Sequence, residues 1–111
     1  MKTIKDIISY EQHVLKAGWS LVVFYSHWCR DCHYADTFMP RLETLYPQIT
    51  FYLVDRGDIP ELAKALNIYG VPSFVLYYND KECTRYVNKN RKTFIDVQSF
   101  IETSLTKKGC L

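Results

Sequence analysis

The fold is decided by the segment Phe24-Tyr25-Ser26-His27-Trp28-Cys29-Arg30-Asp31-Cys32. The apolar run Leu21–Tyr25, which leads into it, has no polar alternation, and this predicts a strand covered on both faces. Beyond the segment, Phe38, Leu42 and Leu45 recur at the spacing of a helical face. Two cysteines three residues apart therefore stand where a strand gives way to a helix.

Apolar runs and helical periods alternate along the rest of the chain. A second unbroken run, Thr50–Val54, predicts another inner strand, and Phe94 begins an amphipathic C-terminal helix. Two further runs flank the polar turn Asn79-Asp80 and predict a hairpin. Strands that alternate with helices favour an inner parallel pair, to which the hairpin adds an antiparallel edge. We therefore predict an α/β fold with a central mixed β-sheet flanked by helices on both faces.

Local signals predict where the helices begin and break. Ser9 has the form of a capping residue for an N-terminal helix that Gly18 ends. Asp58 stands before Pro60 in the manner of a capped first turn. Pro40 interrupts the helix after the cysteines, and we expect a kink or a junction between two helical pieces there.

Composition limits the classes of function. The chain has 111 residues, of which 48% are hydrophobic and 15% aromatic, so it can bury a core without a disulfide scaffold. A formal charge of +2 gives no basic surface for nucleic acid. We expect a single domain over residues 1–106, followed by a flexible C-terminal tail at residues 107–111.

The N-terminus and the cysteine count indicate the compartment. Met1–Ser9 carries a charge every few residues, unlike a secretory signal. No run of about 18 apolar residues occurs, so we expect no membrane-spanning segment. We therefore expect a cytoplasmic monomer. In a reducing compartment, four cysteines are more often catalytic, metal-binding or buried than paired in structural bridges.

The Cys29–Cys32 pair, called the dithiol below, has the form of a redox device. A sulfur at a helix N-terminus gains stability as a thiolate from the free amides and the helix dipole. We therefore assign Cys29 as the nucleophile and Cys32, one turn later, as the thiol that resolves a mixed disulfide. Arg30 favours the thiolate and Asp31 opposes it, so their net effect on the redox poise has no predicted sign.

Two segments of the chain resemble the signature motifs of thioredoxins. One is the segment 24–32 quoted above, and the other reads Ile68-Tyr69-Gly70-Val71-Pro72-Ser73-Phe74. The distance between the two segments and the order of the elements are similar to those of the family over nearly the whole chain. This resemblance implies the thioredoxin fold and the exchange of disulfides with protein substrates.

The resemblance also implies how a substrate binds. The Val71–Pro72 peptide is expected to be cis and to face the cysteines, beside backbone that pairs with an extended segment of the substrate. Trp28 is expected to flank this groove. The resemblance implies no metal and no cofactor other than the redox-active disulfide, with reducing equivalents from a thioredoxin reductase or a low-molecular-weight thiol.

The sequence departs from the family at positions close to the dithiol. Thioredoxins carry Gly-Pro between the cysteines, where this chain has Arg30 and Asp31. They also bury an acid beneath the resolving thiol, and the matching residue here is Val23. We hypothesise that the proton of Cys32 leaves through water or through a nearby residue such as His27.

Three other interpretations stay open at the level of sequence. The pair Cys29 and Cys32 could bind a metal or a shared iron–sulfur cluster, although no second paired spacing supplies further ligands. With His33 the motif also matches the attachment pattern of c-type haem. A redox-inert peptide-binding module is the third. We expect Cys83 to be a small buried or edge hydrophobe, and we assign Cys110, in the tail, no role.

Overall fold

The computed structural model describes residues 1–106, so the predicted tail at residues 107–111 lies outside the described residues. No helix in that described part is both long and apolar enough to cross a membrane. The elements in chain order are β1 (Lys2–Ile4), α1 (Ile7–Ser9) with a following π-helical segment (Tyr10–Val14), β2 (Trp19–Tyr25), α2 (Arg30–Asp36), α3 (Met39–Leu45), β3 (Ile49–Asp55), α4 (Pro60–Ala65), β4 (Ser73–Tyr78), β5 (Lys81–Tyr86) and α5 (Phe94–Leu105).

The five strands form one mixed sheet in the order β1-β3-β2-β4-β5. Strand β3 runs parallel to both β1 and β2, whereas β4 pairs antiparallel with β2 and with β5. In this register Val23 lies between Leu53 and Phe74. The predicted inner parallel pair with an antiparallel hairpin at its edge is confirmed.

Helices cover both faces of the sheet and enclose two apolar cores. In the first core, Ala35 of α2, Leu42 of α3 and Ile101 of α5 pack against the central strands. In the second, Val14 of the π-helical segment and Ala63 of α4 pack against the opposite face. This double cover explains why the β2 and β3 runs lack polar alternation. Each fully buried large apolar side chain contributes about 1.5–3 kcal/mol to the free energy of burial.

Two predicted helix caps are wrong. Asp6, not Ser9, caps α1, because its carboxylate accepts a hydrogen bond from the Ser9 amide at 2.7 Å and Ser9 lies inside the helix. Helix α4 begins after Ile59 with no side-chain cap, so Asp58 does not cap it. Ile59 is buried in the second core, and its packing rather than a polar cap decides where α4 begins.

Two other local predictions are confirmed, and a third is wrong. Pro40 lies in the first turn of α3, directly after the break that separates α3 from α2. Asn79 and Asp80 both have positive φ, as the tight turn between β4 and β5 requires. Gly18 has positive φ (86°) and its amide donates to the side chain of Asn79 at 2.8 Å. It does not end the N-terminal helix as predicted, because the helical segment already ends at Val14.

The start of α5 gives a test of stability. The Thr93 hydroxyl accepts from the amide of Asp96 at 3.2 Å, and the Asp96 carboxylate accepts from the amide of Thr93 at 2.9 Å. We expect Thr93→Ala to lower the free energy of unfolding by about 1 kcal/mol, because this capping box is lost. Urea unfolding measures the change. Ser99→Ala, at an exposed position of the same helix, is the control; an equal loss in both variants would contradict the assignment.

Candidate active site

Cys29 stands at the junction of β2 and α2, where it is the N-cap residue of the helix. Its extended backbone (φ −89°, ψ 113°) directs the sulfur toward the first turn, and Sγ accepts a hydrogen bond from the amide of Cys32 at 3.1 Å. On its other side Sγ lies 3.6 Å from the carbonyl oxygen of Val71. The half-buried Cys29 sulfur therefore bridges the helix start and the loop before β4.

Cys32 lies beneath this sulfur and is almost fully enclosed. Only 1% of the residue is exposed, and both Cys29 and Cys32 are thiols in this structure. Burial raises the pKa of Cys32 to about 12, helped by its hydrogen bond with the Cys29 sulfur and opposed by a backbone hydrogen bond from Ser26. The two sulfurs therefore differ in solvent access, and the buried one is protonated at neutral pH.

The loop before β4 faces the dithiol. The Val71–Pro72 peptide is cis, as the resemblance implied. The hydroxyl of Ser73 donates to the carbonyl of Gly70 at 2.6 Å and holds the loop against the sheet. A Cβ atom at Gly70 would lie 2.5 Å from the carbonyl oxygen of Asn88, so only glycine fits there. The loop is therefore fixed on both sides of its proline.

Trp28 is an exposed aromatic side chain beside the reactive sulfur. It is 93% exposed, although it directly precedes Cys29. A core position for this indole is thus excluded. Its placement fits the flank of a groove that ends at the Val71–Pro72 loop.

The two residues between the cysteines have different surroundings. Arg30 is exposed, whereas Asp31 is half-buried and lies 3.7 Å from Nε of Arg91. The guanidinium of Arg91 also stacks over the ring of Tyr34, 3.7 Å from its centroid. The negative charge that Asp31 brings to the helix start is therefore partly offset by a residue 60 positions away.

His27 is tied to an acid at the end of β3. Its Nδ1 makes a short contact with Oδ2 of Asp55, and its ring lies 5.4 Å from that of Tyr25. The imidazole is 66% exposed, whereas Asp55 is buried and its Oδ1 accepts from the amide of Gly57 at 2.7 Å. The backbone carbonyl of His27 accepts from His33 at 2.8 Å. This His–Asp pair borders a surface pocket next to Trp28.

Sequence reasoning missed three residues near the site: Asp55, Arg91 and Lys92. Asp55 could have been noticed as an acid at the carboxyl end of an inner parallel strand, which is a common position for functional groups. Arg91 and Lys92 lie in an irregular segment before α5, and the spacing of residues there gives no signal of what they contact. Val23 lies in the first core as expected, with 2% exposure.

Comparison with known proteins decides the family. The sequence model of the thioredoxin family matches residues 3–102. The chain belongs to the thioredoxin family. Among its relatives is thioredoxin AMT13 from Alternaria alternata, which is 29% identical over 98 residues that cover 86% of this chain and 82% of the relative. With its Cys-X-X-Cys pair, this member of the family is a thiol–disulfide oxidoreductase.

Solved structures confirm the thioredoxin fold. The thioredoxin of Plasmodium falciparum superimposes with a TM-score of 0.83 at 20% identity, covering 93% of this chain and 98% of that protein. The thioredoxin of Fasciola hepatica gives a TM-score of 0.79 at 23% identity, covering 97% and 100%. The predicted fold class is therefore correct.

The part of the chain that the structure describes offers no set of metal ligands around the dithiol. Within residues 1–106, no three His, Cys, Asp or Glu side chains are grouped as a metal ion would need. Cys83 lies on β5, partly buried against the first core, and it is disulfide-bonded, so the expectation of a plain hydrophobe at the sheet edge is not met. Cys110 lies outside the described residues. Action without a metal or prosthetic group stays a prediction.

Differential alkylation tests whether the sulfurs of Cys29 and Cys32 differ in their rate of reaction. At pH 8 we expect iodoacetamide to label Cys29 at least about tenfold faster than Cys32, because only thiolates react and burial raises the pKa of Cys32 to about 12. Labelling of Cys32 should rise only as the pH climbs toward that value. Trypsin cuts after Arg30 and places the two cysteines in separate peptides, so mass spectrometry can follow each one.

Unfolding the protein in guanidinium gives the control for this labelling. Without the fold, both cysteines should react at similar rates, because the burial that separates them is lost. Equal labelling of the two peptides in the native reduced protein would contradict the inequality.

Proposed function

We propose that this protein exchanges disulfides with protein substrates through Cys29 as the nucleophile and Cys32 as the resolving thiol. The observation that carries the proposal is the position of the Cys29 sulfur. It is half-buried but reachable, receives the Cys32 amide at 3.1 Å, and lies 3.6 Å from the Val71 carbonyl. Cys32 is only 1% exposed. Its sulfur can therefore exchange with the neighbouring Cys29 sulfur but not directly with a substrate.

The exchange has two steps in which sulfur and electrons balance. The Cys29 thiolate attacks one sulfur of the substrate disulfide, and the other substrate sulfur leaves with the bonding electrons and takes up a proton. The Cys32 thiolate then attacks the Cys29 sulfur and releases the second substrate sulfur. The substrate gains two electrons, and the protein is left with a Cys29–Cys32 disulfide.

The substrate segment is proposed to lie extended between Trp28 and the Val71–Pro72 loop. An extended peptide can pair with exposed backbone groups there, much as a strand is added to a sheet edge. The exposed indole of Trp28 offers an apolar wall on one side, with 93% of its surface available. The 3.6 Å contact between Val71 and Cys29 brings such a segment to the reactive sulfur.

Replacing one cysteine at a time tests the assignment of roles. We expect Cys32→Ser to accumulate a mixed disulfide with insulin or another disulfide-bonded protein, because attack proceeds and resolution cannot. Non-reducing electrophoresis and mass spectrometry identify the adduct and its site at Cys29. Cys29→Ser is the matched variant and should form no such adduct. A stable adduct through Cys32 in Cys29→Ser would reverse the roles.

His27 is proposed to accept the proton of Cys32 during resolution. Its ring is held by Asp55, an arrangement that fixes which nitrogen can receive a proton. A positioned general base contributes on the order of 10²–10⁴ to a rate. Val23 provides no such group on the central strand, since it is an apolar residue in the first core.

The reaction with dithionitrobenzoate separates the two steps. The first thionitrobenzoate leaves when Cys29 attacks, and the second leaves when Cys32 resolves the adduct. We expect His27→Ala to slow the second release by at least about tenfold and to leave the first nearly unchanged. His33→Ala is the control, since His33 contacts the His27 backbone and not Asp55. An unchanged second release in His27→Ala would remove His27 from the mechanism.

The supply of electrons and the setting of the protein are part of the same proposal. A thioredoxin reductase or a low-molecular-weight thiol would reduce the Cys29–Cys32 disulfide after each turnover. The resemblance to thioredoxins supports this pairing with a donor. The cytoplasmic location and the monomeric state stay predictions of the sequence.

A further inference from the structure

Lys92 is a lysine with no exposed surface, in the segment between β5 and α5. Its Nζ donates to the carbonyl of Asn88 at 2.9 Å and lies 5.6 Å from the centroid of the Tyr86 ring. Lysines are almost never fully buried unless a charge or a function compensates for the lost hydration. Within residues 1–106 no carboxylate lies at ion-pair distance from this amine. Its burial therefore needs another explanation.

The side chain of Lys92 lies on the face of the sheet that carries the first core. The Tyr86 ring that it approaches packs against Phe74 at 6.2 Å, and Phe74 is the register partner of Val23. Val23 occupies the position at which the resemblance to thioredoxins places a buried acid. Residues of α2, which carries Cys32, pack in the same core. Position 23 of the central strand thus lacks a titratable group, and Lys92 supplies one a few side chains away.

The backbone around Lys92 is held against the site from two directions. The carbonyl of Asn88 that accepts from Lys92 also fills the space above Gly70, next to the cis-proline loop. Arg91, the preceding residue, contacts Asp31 at 3.7 Å between the two cysteines. The segment therefore fixes Lys92 relative to both sides of the groove.

The ionisable groups that attract the Lys92 ammonium include both sulfurs of the dithiol. Burial lowers the pKa of Lys92, and attraction by Cys32, then by Asp31 and Cys29, opposes that fall. The titratable or charged groups around it are Cys29, Cys32 and Asp31 on the side of α2, Tyr86 on β5, and Arg91 beside it. Arg91 is already paired with Asp31. The sulfurs of Cys29 and Cys32 are therefore the groups whose negative charge a Lys92 ammonium can stabilise.

We propose that the buried Lys92 ammonium is a positioning charge that stabilises the thiolate form of the Cys29–Cys32 pair. The inference rests on the roles proposed for these cysteines. When Cys29 attacks a substrate, or when Cys32 loses its proton and attacks Cys29, negative charge develops on sulfur in a region shielded from water. A fixed cation lowers the energy of that charge without touching the reacting atoms and without taking up the proton.

Two neutral variants separate charge from packing. Lys92→Met removes the charge and the hydrogen bond and keeps an unbranched apolar stem, whereas Lys92→Gln removes the charge and keeps a donor for the Asn88 carbonyl. We expect both to move the pH midpoint of Cys29 alkylation upward. A midpoint that rises by about one pH unit corresponds to roughly a tenfold change in the equilibrium with glutathione, toward the disulfide. The variants should thus be poorer oxidants than the parent protein.

Lys89→Met is the matched control. Lys89 lies in the same segment and carries the same charge, but it is exposed, so its removal should leave both measurements nearly unchanged. Thermal unfolding shows that each variant is folded, and we expect the Met variant to be at least as stable as the parent because a buried amine is removed.

The outcomes distinguish this inference from the proposed function. An unchanged midpoint and equilibrium in Lys92→Met and Lys92→Gln overturns the inference while leaving the dithiol chemistry intact. A change in the Met variant alone assigns the effect to the Asn88 hydrogen bond and also overturns it. Failure of the parent protein to form a Cys29–Cys32 disulfide at any glutathione ratio would instead overturn the proposed roles of the cysteines.

Discussion

A sulfur atom at the start of α2 takes the place that an oxygen of Ser, Thr, Asp or Asn fills at most helix N-termini. The Cys29 sulfur satisfies the amide of Cys32, so the atom assigned to the chemistry is also the one that begins the helix. Strand β2 must end where it does for this to happen, and its pairing with β3 and β4 fixes that end. The reactive geometry is thus a property of the sheet as much as of the motif.

The surroundings of that sulfur come from parts of the chain far apart in sequence. The Val71 carbonyl approaches it from the loop before β4, and the Asn88 carbonyl holds that loop at Gly70. Asp55 reaches His27 from the end of β3. The Val71 and Asp55 contacts lie at the carboxyl ends of the inner strands β2 and β3, which is where α/β folds collect their functional groups.

The sequence predicts the sheet and the dithiol better than it predicts their surroundings. Apolar runs without alternation identify β2 and β3 because both faces of these strands are buried. The predicted cap at Asp58 is wrong, because α4 begins after the buried Ile59 and has no side-chain cap. Arg91 and Lys92 could not be assigned, because the value of a charged residue in an irregular segment depends on tertiary contacts that no local pattern encodes.

The replacement of a central-strand acid by Val23 has a consequence for how such proteins diverge. An ionisable group in the middle of a sheet cannot be exchanged without repacking both neighbouring strands, here at Leu53 and Phe74. In this chain His27 and Lys92, the two ionisable side chains to which we assign supporting roles at the dithiol, lie in connecting segments, where substitutions are tolerated more readily. Natural selection can therefore change the redox character of this protein one loop residue at a time, while the hydrophobic sheet beneath stays constant.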